Sequence, residues 1–325
     1  MTDANHIVFL DTVSPAIRKT LTDNVPPGFT MTFPEVDTPE KAALVARDAD
    51  YLLIWAGYLP GSVIESATKA RLIQKVGEGT DRIDVATATR MGIPVARTPG
   101  GNSVSVAEAT TMLILAALRR LPQAHNSVLA GEWRKFGFRS YSYELRSKRV
   151  GIIGIGKIGR MVAAHVLGFG ASVAYHDVRR LSTEEEERLG IQYLPFEELL
   201  RDSDVITLHV PLLPSTRNLI GHRELSLMKP TAVLVNSCRG AVVDEEALYE
   251  ALKEHKILAA ALDVFAKEPP GANHPLYSLD NVVLTPHNAG GTVDSEIALV
   301  RQAFANIVKV SRGEKLDPVD YAQPA

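Results

Sequence analysis

The sequence predicts an α/β protein of two domains, the larger of which is built on a doubly wound parallel sheet. Short apolar runs, suited to strands that are buried on both faces, alternate along the chain with helical patterns. This alternation occurs in two series, and the turn-forming segment 98–101, Thr-Pro-Gly-Gly, separates them. A chain of 325 residues is also longer than one hydrophobic core usually supports.

The first series occupies roughly the first hundred residues. Its apolar runs predict strands at 7–10, 51–55 and 72–76, and the patterns between and after them predict helices at 39–48, 61–69 and 84–91. Strands that alternate with helices pair in parallel, because each helix carries the chain back to the start of the next strand.

The second series begins with a long apolar helix at 103–121, for which Ser103 is available as an N-cap. The sequence then predicts strands at 149–153, 172–176, 205–209, 232–236, 259–263 and 282–284, with helices at 157–169 and 295–310. Their number and spacing suit a complete doubly wound domain. We interpret the acidic run 184–187 as the first turn of a helix capped by Ser182 or Thr183.

Composition and charge exclude several classes of function. Apolar residues make up 46% of the chain and charged residues 22%, as in soluble globular proteins, and the net charge of −3 attracts neither nucleic acid nor an acidic membrane. Cys238 is the single cysteine, which fits a reducing cytosol. The N-terminus is acidic where a signal peptide is basic, and no apolar run reaches the ~18 residues of a membrane span. We therefore expect a cytoplasmic protein without membrane or nucleic-acid partners, and no bound metal.

A glycine-rich segment follows a predicted strand and opens a predicted helix. It reads Gly154-Ile155-Gly156-Lys157-Ile158-Gly159. The first glycine permits a tight turn, the second lets a pyrophosphate approach the backbone, and the third packs the helix against the sheet. The strand before it, the helix after it and an acid at the end of the next strand supply the context that this motif needs. We expect a Rossmann domain that binds a dinucleotide through Gly154, Gly156, Lys157, Ile158 and Gly159.

Asp177 is the acid at the end of that next strand. A carboxylate there accepts hydrogen bonds from the ribose hydroxyls of NAD and repels the 2′-phosphate of NADP. Arg179 and Arg180 stand beside it and could instead pair with such a phosphate. We expect NAD as the cofactor, with NADP as the alternative.

Three residues suited to hydride chemistry follow predicted strands of the second series. Arg239 carries a planar guanidinium that can bind a carboxylate and polarise a neighbouring keto oxygen. His287 can exchange the hydroxyl proton, because imidazole titrates nearest neutral pH. Glu268 can orient such an imidazole and stabilise its protonated form. We therefore expect Arg239, Glu268 and His287 to be catalytic.

These motifs resemble the D-isomer-specific 2-hydroxyacid dehydrogenase family over nearly the whole chain. The segments VGIIGIGKIGR, LVNSCRGAVVDEEAL, ALDVFAKEPP and TPHNAGG occur in order. The resemblance implies that Arg239 binds the substrate carboxylate and carbonyl, that His287 is the acid/base and that Glu268 supports it. It also implies that the nicotinamide half of the cofactor site is lined by Val210, Pro211, Ser237, Cys238 and Asp263, with Cys238 a small lining residue rather than a nucleophile.

The resemblance also implies a domain organisation. A smaller, flavodoxin-like α/β substrate domain would comprise residues 1–99 and 291–325, and the Rossmann domain residues 100–290. Two copies of the chain would form a homodimer, largely through the nucleotide domains.

On the substrate side, Lys75-Val76-Gly77-Glu78-Gly79 resembles the family loop whose backbone amides hold the substrate carboxylate. The resemblance thus places Lys75, Gly77, Glu78, Gly79 and Asn102 near the substrate. Glu78 departs from the small or hydroxyl residue that is usual there. Either its side chain turns away from the anionic substrate, or it binds a hydroxyl or amine of the substrate.

The substrate and two other activities stay open at this point. Segment 98–110 is similar to 3-phosphoglycerate dehydrogenases, yet Trp55-Ala56-Gly57-Tyr58 lacks the basic residues that those enzymes carry there. We expect an unphosphorylated 2-keto or D-2-hydroxy acid, with 3-phosphoglycerate as the alternative. An NAD-sensing corepressor-like binding protein is the alternative from another class, since such relatives keep the same three residues. Phosphite oxidation on this scaffold is a third possibility, whereas the additional cleft residues of formate dehydrogenase are not evident.

Overall fold

The computed structural model describes residues 5–322. Of these, residues 5–102 with 291–322 form one compact unit, here the terminal unit, and residues 103–290 form a second, the central unit. The boundary follows Asn102, because the turn before it packs within the terminal unit. Gly101 lies so close to Leu299 that a Cβ atom would stand 2.6 Å from Cδ2 of that leucine.

The terminal unit is built on a five-stranded parallel sheet with strand order β2-β1-β3-β4-β5, the flavodoxin-like order. The strands are β1 (Asn5–Phe9), β2 (Phe29–Thr32), β3 (Tyr51–Ile54), β4 (Leu72–Lys75) and β5 (Val95–Ala96). The helices are α1 (Pro15–Asp23), α2 (Pro39–Ala46), α3 (Gly61–Ser66), α4 (Val85–Arg90) and, from the end of the chain, α12 (Val293–Ser311).

Successive residues of β1 are buried on opposite faces of the sheet. Ile7 and Phe9 pack in one cluster with Phe304 and Ile307 of α12, whereas Val8 packs with the cluster on the other face. Helices therefore cover both faces, as a parallel sheet requires.

The central unit contains a seven-stranded parallel sheet with strand order β12-β11-β10-β9-β6-β7-β8. Its strands are β6 (Arg149–Ile153), β7 (Ser172–His176), β8 (Ile191–Tyr193), β9 (Val205–Leu208), β10 (Val233–Asn236), β11 (Ala259–Leu262) and β12 (Val282–Leu284). Its helices are α5 (Ser103–Leu118), α6 (Leu121–Leu129), α7 (Lys157–Gly168), α8 (Thr183–Leu189), α9 (Phe196–Asp202), α10 (His222–Leu227) and α11 (Glu245–Lys253). The strand order reverses between β6 and β9, which is where doubly wound sheets open a crevice for a ligand.

Two apolar clusters cover the faces of the central sheet. Val233 and Val235 of β10 pack in the cluster that contains residues of α5 and α7, and Leu234 packs in the cluster that contains residues of α9, α10 and α11. All four residues of β10 are buried. The apolar runs of the sequence therefore mark strands covered on both sides, as predicted.

Most predicted elements are present, and three strands, β6, β7 and β12, are confirmed to the residue. The predicted helix 103–121 is wrong at its end, because α5 stops at Leu118 and α6 begins at Leu121. Arg120 between them has a left-handed backbone with φ of 53°, which an α-helix does not continue through. The sequence prediction also missed α1, β2, β5, α6, β8 and α9 to α11.

The acidic run 184–187 lies in α8, as interpreted from the sequence. Ser182 caps the helix in a capping box with Glu185, and Gly190 ends it with φ of 68°. Among residues 5–322, no helix is both long and apolar enough to cross a membrane.

The contact of Gly159 with the turn before α7 leads to a test of this packing. A Cβ atom at Gly159 would lie 2.2 Å from the backbone oxygen of Gly154, whereas one at Gly168, on the same helix, would have no heavy atom within 4 Å. Gly159→Ala should therefore lower the free energy of unfolding by about 1 to 3 kcal/mol through overpacking. Gly168→Ala should leave it unchanged or raise it by up to about 1 kcal/mol. Urea denaturation of both variants measures the difference, and equal effects would contradict the tight packing at Gly159.

Candidate active site

The carboxyl ends of the central sheet carry the residues with candidate chemistry. Every strand pairing in this sheet is parallel, so the strands end along one edge. The segments that follow the strands at this edge, together with the start of α7, hold all the central-unit residues that the sequence predicts for the site: Gly154, Gly156, Lys157, Ile158, Gly159, Asp177, Val210, Pro211, Ser237, Cys238, Arg239, Asp263, Glu268 and His287.

The three glycines after β6 fit a bound pyrophosphate, each for a different reason. Gly154 has φ of 95°, and a Cβ atom there would stand 2.4 Å from the backbone oxygen of His209. Gly159 is fixed by helix packing, as described above. Gly156 caps α7 with an ordinary φ of −71°, and a Cβ atom there would meet no heavy atom within 4 Å. Neither conformation nor packing requires glycine at 156, so its bare backbone leaves open space for an anion at the N-terminus of α7.

Asp177 is held by backbone donors at the end of β7. Its Oδ2 atom accepts a hydrogen bond of 2.8 Å from the N–H of Ile155, and its Oδ1 atom accepts one of 3.1 Å from the N–H of Arg179. The carboxylate lines an open cavity of about 620 Å³ next to the glycine turn. This is the place that an adenine ribose would occupy if the pyrophosphate lay at α7.

His287 and Glu268 form the closest pair in the candidate site. Nδ1 of His287 lies 2.8 Å from Oε2 of Glu268. The other carboxylate oxygen of Glu268 accepts a hydrogen bond of 3.2 Å from the N–H of Phe265, which fixes the side chain on its own loop. The imidazole is half-exposed, and the carboxylate is mostly buried. The pair therefore presents an imidazole to solvent with a carboxylate behind it.

The loop that carries His287 is tied to Asp263, at the end of the neighbouring strand. The buried Asp263 carboxylate accepts hydrogen bonds from Thr285 Oγ1 at 2.6 Å, from the N–H of Asn288 at 3.0 Å and from the N–H of Ala289 at 2.9 Å. The backbone oxygen of Asp263 accepts another, of 2.7 Å, from the N–H of His287. These bonds hold His287 in a left-handed conformation, with φ of 53°.

Arg239 lies on a turn shaped by Asn236, the last residue of β10. The Asn236 side chain accepts a hydrogen bond from the N–H of Cys238 at 3.1 Å and donates one of 2.9 Å to the backbone oxygen of Arg239. One guanidinium nitrogen of Arg239 donates to the backbone oxygen of Cys238 at 2.7 Å. A Cβ atom at Gly240 would stand 1.9 Å from the carbonyl carbon of Phe265, so the Arg239 turn packs directly against the Glu268 loop.

Ser237 and Cys238 are small side chains at the same strand end. Ser237 is buried, and its hydroxyl lies 2.7 Å from that of Thr110 on α5. Burial raises the pKa of the Cys238 thiol. The thiol therefore stays protonated near neutral pH, which does not suit a nucleophile.

His209, just after β9, is a polar group of this edge that the sequence analysis passed over. Its Nε2 atom lies 3.0 Å from the hydroxyl of Thr207, and its backbone oxygen lies against Gly154. Burial lowers the pKa of His209 to about 4. The imidazole is therefore neutral near pH 7.

The sequence also gave no prediction for Asn236 or Thr285. Nor did it predict that the Asp263 carboxylate binds the loop that carries His287. Asn236 could have been found, because an asparagine that closes a strand before a turn commonly bonds to the backbone two residues on. Thr285 and the anchoring by Asp263 had no local signal, since the two residues are far apart along the chain.

The predicted substrate residues lie in the terminal unit. Nζ of Lys75 donates to the backbone oxygen of Val76 at 2.6 Å, and the N–H of Gly77 donates to Thr98 Oγ1 at 2.6 Å. Within residues 5–322, the N–H groups of Glu78 and Gly79 donate no hydrogen bond. The Glu78 side chain is exposed, and Asn102 is half-buried before α5.

The chain is similar in sequence to a known family of enzymes and to individual members of related function. The family model described as D-isomer specific 2-hydroxyacid dehydrogenase, NAD binding domain, matches residues 111–289. D-3-phosphoglycerate dehydrogenase of Methanocaldococcus jannaschii is 44% identical over 87% of this chain, and the match spans 53% of that relative, or about half its length. Glyoxylate reductase of Aeropyrum pernix is 43% identical over 83% of this chain and 82% of the relative.

A solved structure shows the same similarity in three dimensions. NAD-dependent formate dehydrogenase from Staphylococcus aureus, in complex with NAD, superimposes with a TM-score of 0.86 and 27% identity over 98% of this chain and 99% of that one.

The neutral, partly buried imidazole of His209 makes stability depend on pH. In the unfolded chain this histidine gains a proton below its ordinary pKa of about 6.5, whereas the folded chain resists protonation until about pH 4. The contribution of His209 to folding stability is thus constant above pH 7 and falls as the pH drops from 6.5 toward 4. The loss from this residue should be about 2 kcal/mol at pH 5.

His209→Gln should remove that loss, and His125→Gln, at an exposed position of α6, should keep it. Urea denaturation at pH 7 and pH 5 measures the free energies. If wild type and His209→Gln lose the same stability between these pH values, His209 is not a partly buried, neutral imidazole.

Proposed function

Because the chain belongs to the D-isomer-specific 2-hydroxyacid dehydrogenase family, we propose that it transfers hydride between NAD(H) and a D-2-hydroxy acid/2-keto acid pair. The observation that carries the proposal is the 2.8 Å pair of His287 Nδ1 and Glu268 Oε2 at the edge where an NAD-binding sheet opens. Hydride chemistry at a carbinol carbon needs a proton acceptor for the hydroxyl, and this pair supplies one.

His287 is the proposed acid/base. With Nδ1 directed at Glu268, the proton that moves is the one on Nε2. During reduction of the keto acid, Nε2 donates its proton to the carbonyl oxygen as a C–H bond forms at the carbonyl carbon. During oxidation, Nε2 takes the hydroxyl proton. The Glu268 carboxylate orients the ring and stabilises the imidazolium in both directions.

Arg239 is the proposed ligand of the substrate carboxylate and carbonyl. A guanidinium is planar and always charged, so it can bind both oxygens at once and polarise the carbonyl before hydride arrives. The turn shaped by Asn236 and the packing of Gly240 against Phe265 fix its backbone beside the Glu268 loop. This support keeps Arg239 and the His287–Glu268 pair on neighbouring strand ends.

NAD supplies or accepts the hydride in this proposal. The N-terminal turn of α7, including Gly156, Lys157 and Ile158, would bind the pyrophosphate, and Asp177 the adenine ribose. The nicotinamide half would be lined by Val210, Pro211, Ser237, Cys238 and the end of β11 at Asp263. These residues exclude water and hold the ring, and none of them carries a proton in the reaction.

Removal of the proposed acid/base should slow the chemical step without weakening cofactor binding. We expect His287→Ala to lower kcat for keto-acid reduction by ~10² to 10⁴, with the Kd for NADH nearly unchanged. Steady-state kinetics and NADH fluorescence measure the two quantities. His222→Ala, which removes an exposed imidazole on α10, is the control and should retain activity. Wild-type activity in His287→Ala would remove His287 from the mechanism.

Glu268→Gln keeps the size of the side chain but removes the charge that stabilises the imidazolium. Keto-acid reduction should therefore be about 10- to 100-fold slower in this variant, because no carboxylate orients the ring of His287. Steady-state measurement of kcat gives the change. An unchanged kcat would mean that Glu268 has only a structural role.

For the substrate, we propose an unphosphorylated 2-keto acid, with its carboxylate bound by the N–H groups of Glu78 and Gly79. Gly77 belongs to the same loop but donates its N–H to Thr98, and Lys75 and Asn102 would lie near the substrate. The exposed Glu78 side chain either turns away or binds a hydroxyl or amine of the substrate. A 43% identical relative named glyoxylate reductase supports a small keto acid.

3-Phosphohydroxypyruvate is the second candidate substrate, since a 44% identical relative is named D-3-phosphoglycerate dehydrogenase. The loop after β3 argues against it. The Asp11 carboxylate accepts hydrogen bonds from the backbone N–H groups of Trp55, Ala56 and Gly57. A phosphate at this loop would meet a carboxylate and find those amides already bonded. The guanidinium of Arg82 also lies at the loop, but it already donates to the backbone oxygen of Ala56 at 2.9 Å. The phosphate would therefore have to displace existing bonds to find partners for its charge.

Hydroxypyruvate and 3-phosphohydroxypyruvate differ only in the phosphate, which makes them a matched pair. We expect kcat/KM to favour hydroxypyruvate by tenfold or more, because an unpaired charged group costs ~2 to 5 kcal/mol in a closed site. Glyoxylate carries no side chain on its carbonyl carbon, so its kcat/KM gives the rate of the reaction without any substituent contact. A tenfold preference for the phosphorylated acid would replace this proposal with the phosphoglycerate function.

A homodimer is also part of the proposal. Every residue from 128 to 137 is exposed, and this stretch includes Leu129 (73% exposed), Trp133 (81%) and Phe136 (64%). Several large apolar side chains exposed within one short stretch are typical of a protein–protein interaction surface. Their position in the central unit agrees with a dimer formed by the nucleotide domains, and light scattering of the intact chain should give the mass of two copies.

A further inference from the structure

The cavity beside Asp177 has more cationic residues than binding of NAD requires. Its lining includes Arg160, Arg179 and Arg180, together with Leu181 and Ser182. Guanidinium groups beside an adenine ribose are the usual partners of a 2′-phosphate. The three guanidinium groups taken alone would therefore favour binding of NADP, against the repulsion of its 2′-phosphate by Asp177.

Helix α8 pairs two of these arginines with its own carboxylates. Oε1 of Glu185 lies 3.1 Å from a guanidinium nitrogen of Arg160. Glu186 binds Arg180 with both oxygens, at 2.9 Å from Nε and 3.1 Å from Nη2. In both pairs the arginine lowers the pKa of the carboxyl group, so the carboxylates are ionised at neutral pH.

Tyr175 holds the Glu186–Arg180 pair in place by a hydrogen bond to Glu186. The hydroxyl of this fully buried tyrosine donates to Oε1 of Glu186 at 2.8 Å and accepts a hydrogen bond of 2.8 Å from the N–H of Leu181. Arg180 also lies over the ring of Tyr193, at 5.1 Å from its centroid. If Arg180 moved to a phosphate, it would leave a buried carboxylate without its cation, which is costly.

We propose that Glu185 and Glu186 are determinants of cofactor selectivity: they neutralise Arg160 and Arg180 in the ribose cavity, and the cavity therefore disfavours the 2′-phosphate of NADP. This inference rests on the proposed function only in assigning the cavity to the adenine ribose. It adds a second mechanism to the repulsion by Asp177. Selectivity arises because two of the three arginines that line the cavity already have carboxylate partners.

The test compares four acids of one helix that differ in their contacts. Glu185→Gln and Glu186→Gln each release an arginine, while glutamine retains the capping box at 185 and can still bond to Tyr175 from 186. Glu184→Gln and Glu187→Gln change the net charge equally at exposed positions. Fluorescence titration gives the Kd for NADH and for NADPH, and thermal unfolding reports whether each variant is folded.

We expect the Kd for NADPH to fall about 5- to 10-fold in Glu185→Gln and in Glu186→Gln, as a new arginine–phosphate contact forms. The Kd for NADH should change less than about twofold, and the two exposed variants should resemble wild type. If Glu184→Gln and Glu187→Gln lowered the Kd for NADPH equally, net charge alone would explain the effect, and the inference would be overturned. The absence of any gain in folded variants would also overturn it.

Double variants identify the cation that is responsible. Adding Arg180→Ala to Glu186→Gln should abolish the gain for NADPH, and adding Arg160→Ala to Glu185→Gln should do the same for the other pair. A gain that survives removal of its arginine would contradict the proposal. If the Glu186 variants do not fold, the Glu185–Arg160 pair, whose carboxylate is more exposed, tests the proposal. Failure of wild type to bind NADH would overturn the proposed function instead, whereas NADH binding with unchanged selectivity in the variants overturns only this inference.

Discussion

The buried carboxylate of Asp263 is the interaction on which the candidate active site most depends. It accepts hydrogen bonds from one hydroxyl and two backbone N–H groups of the loop after β12, and its own backbone oxygen binds the N–H of His287. A carboxylate buried at a sheet edge is tolerated only when donors surround it. Here the donors come from the loop that carries His287, the proposed acid/base. The hydrogen bonds that stabilise the Asp263 carboxylate therefore also fix the position of His287.

The neighbouring strand ends follow the same principle of satisfied polar groups. Asn236 uses both ends of its amide to shape the turn before Arg239, and Glu268 binds a backbone N–H of its own loop with one oxygen and His287 with the other. Each group with candidate chemistry is thus held by at least one hydrogen bond to its own or a neighbouring loop. These hydrogen bonds fix the positions and orientations of the three candidate side chains relative to one another.

Helix α8 illustrates how a local pattern and a tertiary role can share the same residues. Its acidic first turn stabilises the helix through the capping box and the helix dipole, which the sequence predicts. The fold then turns Glu185 and Glu186 toward arginines of the cavity beside Asp177 and leaves Glu184 and Glu187 exposed. Four adjacent acids that look alike in the sequence therefore differ in what they contact.

The sequence by itself determined the features that depend on neighbouring residues. Burial on both faces made β6, β7 and β12 predictable to the residue, and backbone sterics made the glycine turn recognisable. The short elements α9 and α10 were missed, because six or seven residues give too little periodicity to separate a helix from a loop. The end of α5 was misplaced, because the left-handed Arg120 has no sequence signature and Pro122 is tolerated in the first turn of the next helix.

Only the tertiary structure decided which of the predicted groups contact each other. The sequence placed Glu268 and His287 after successive strands, but their 2.8 Å contact depends on the parallel pairing of β11 with β12. It placed Asp263 beside the cofactor, whereas its carboxylate is occupied by residues that lie more than twenty positions away. The partners of Arg160 and Arg180 were likewise decided by the fold. The physical reason is the same in each case: propensity and sterics act between neighbours in the chain, whereas hydrogen bonds between side chains of separate strands exist only once the sheet has set their register.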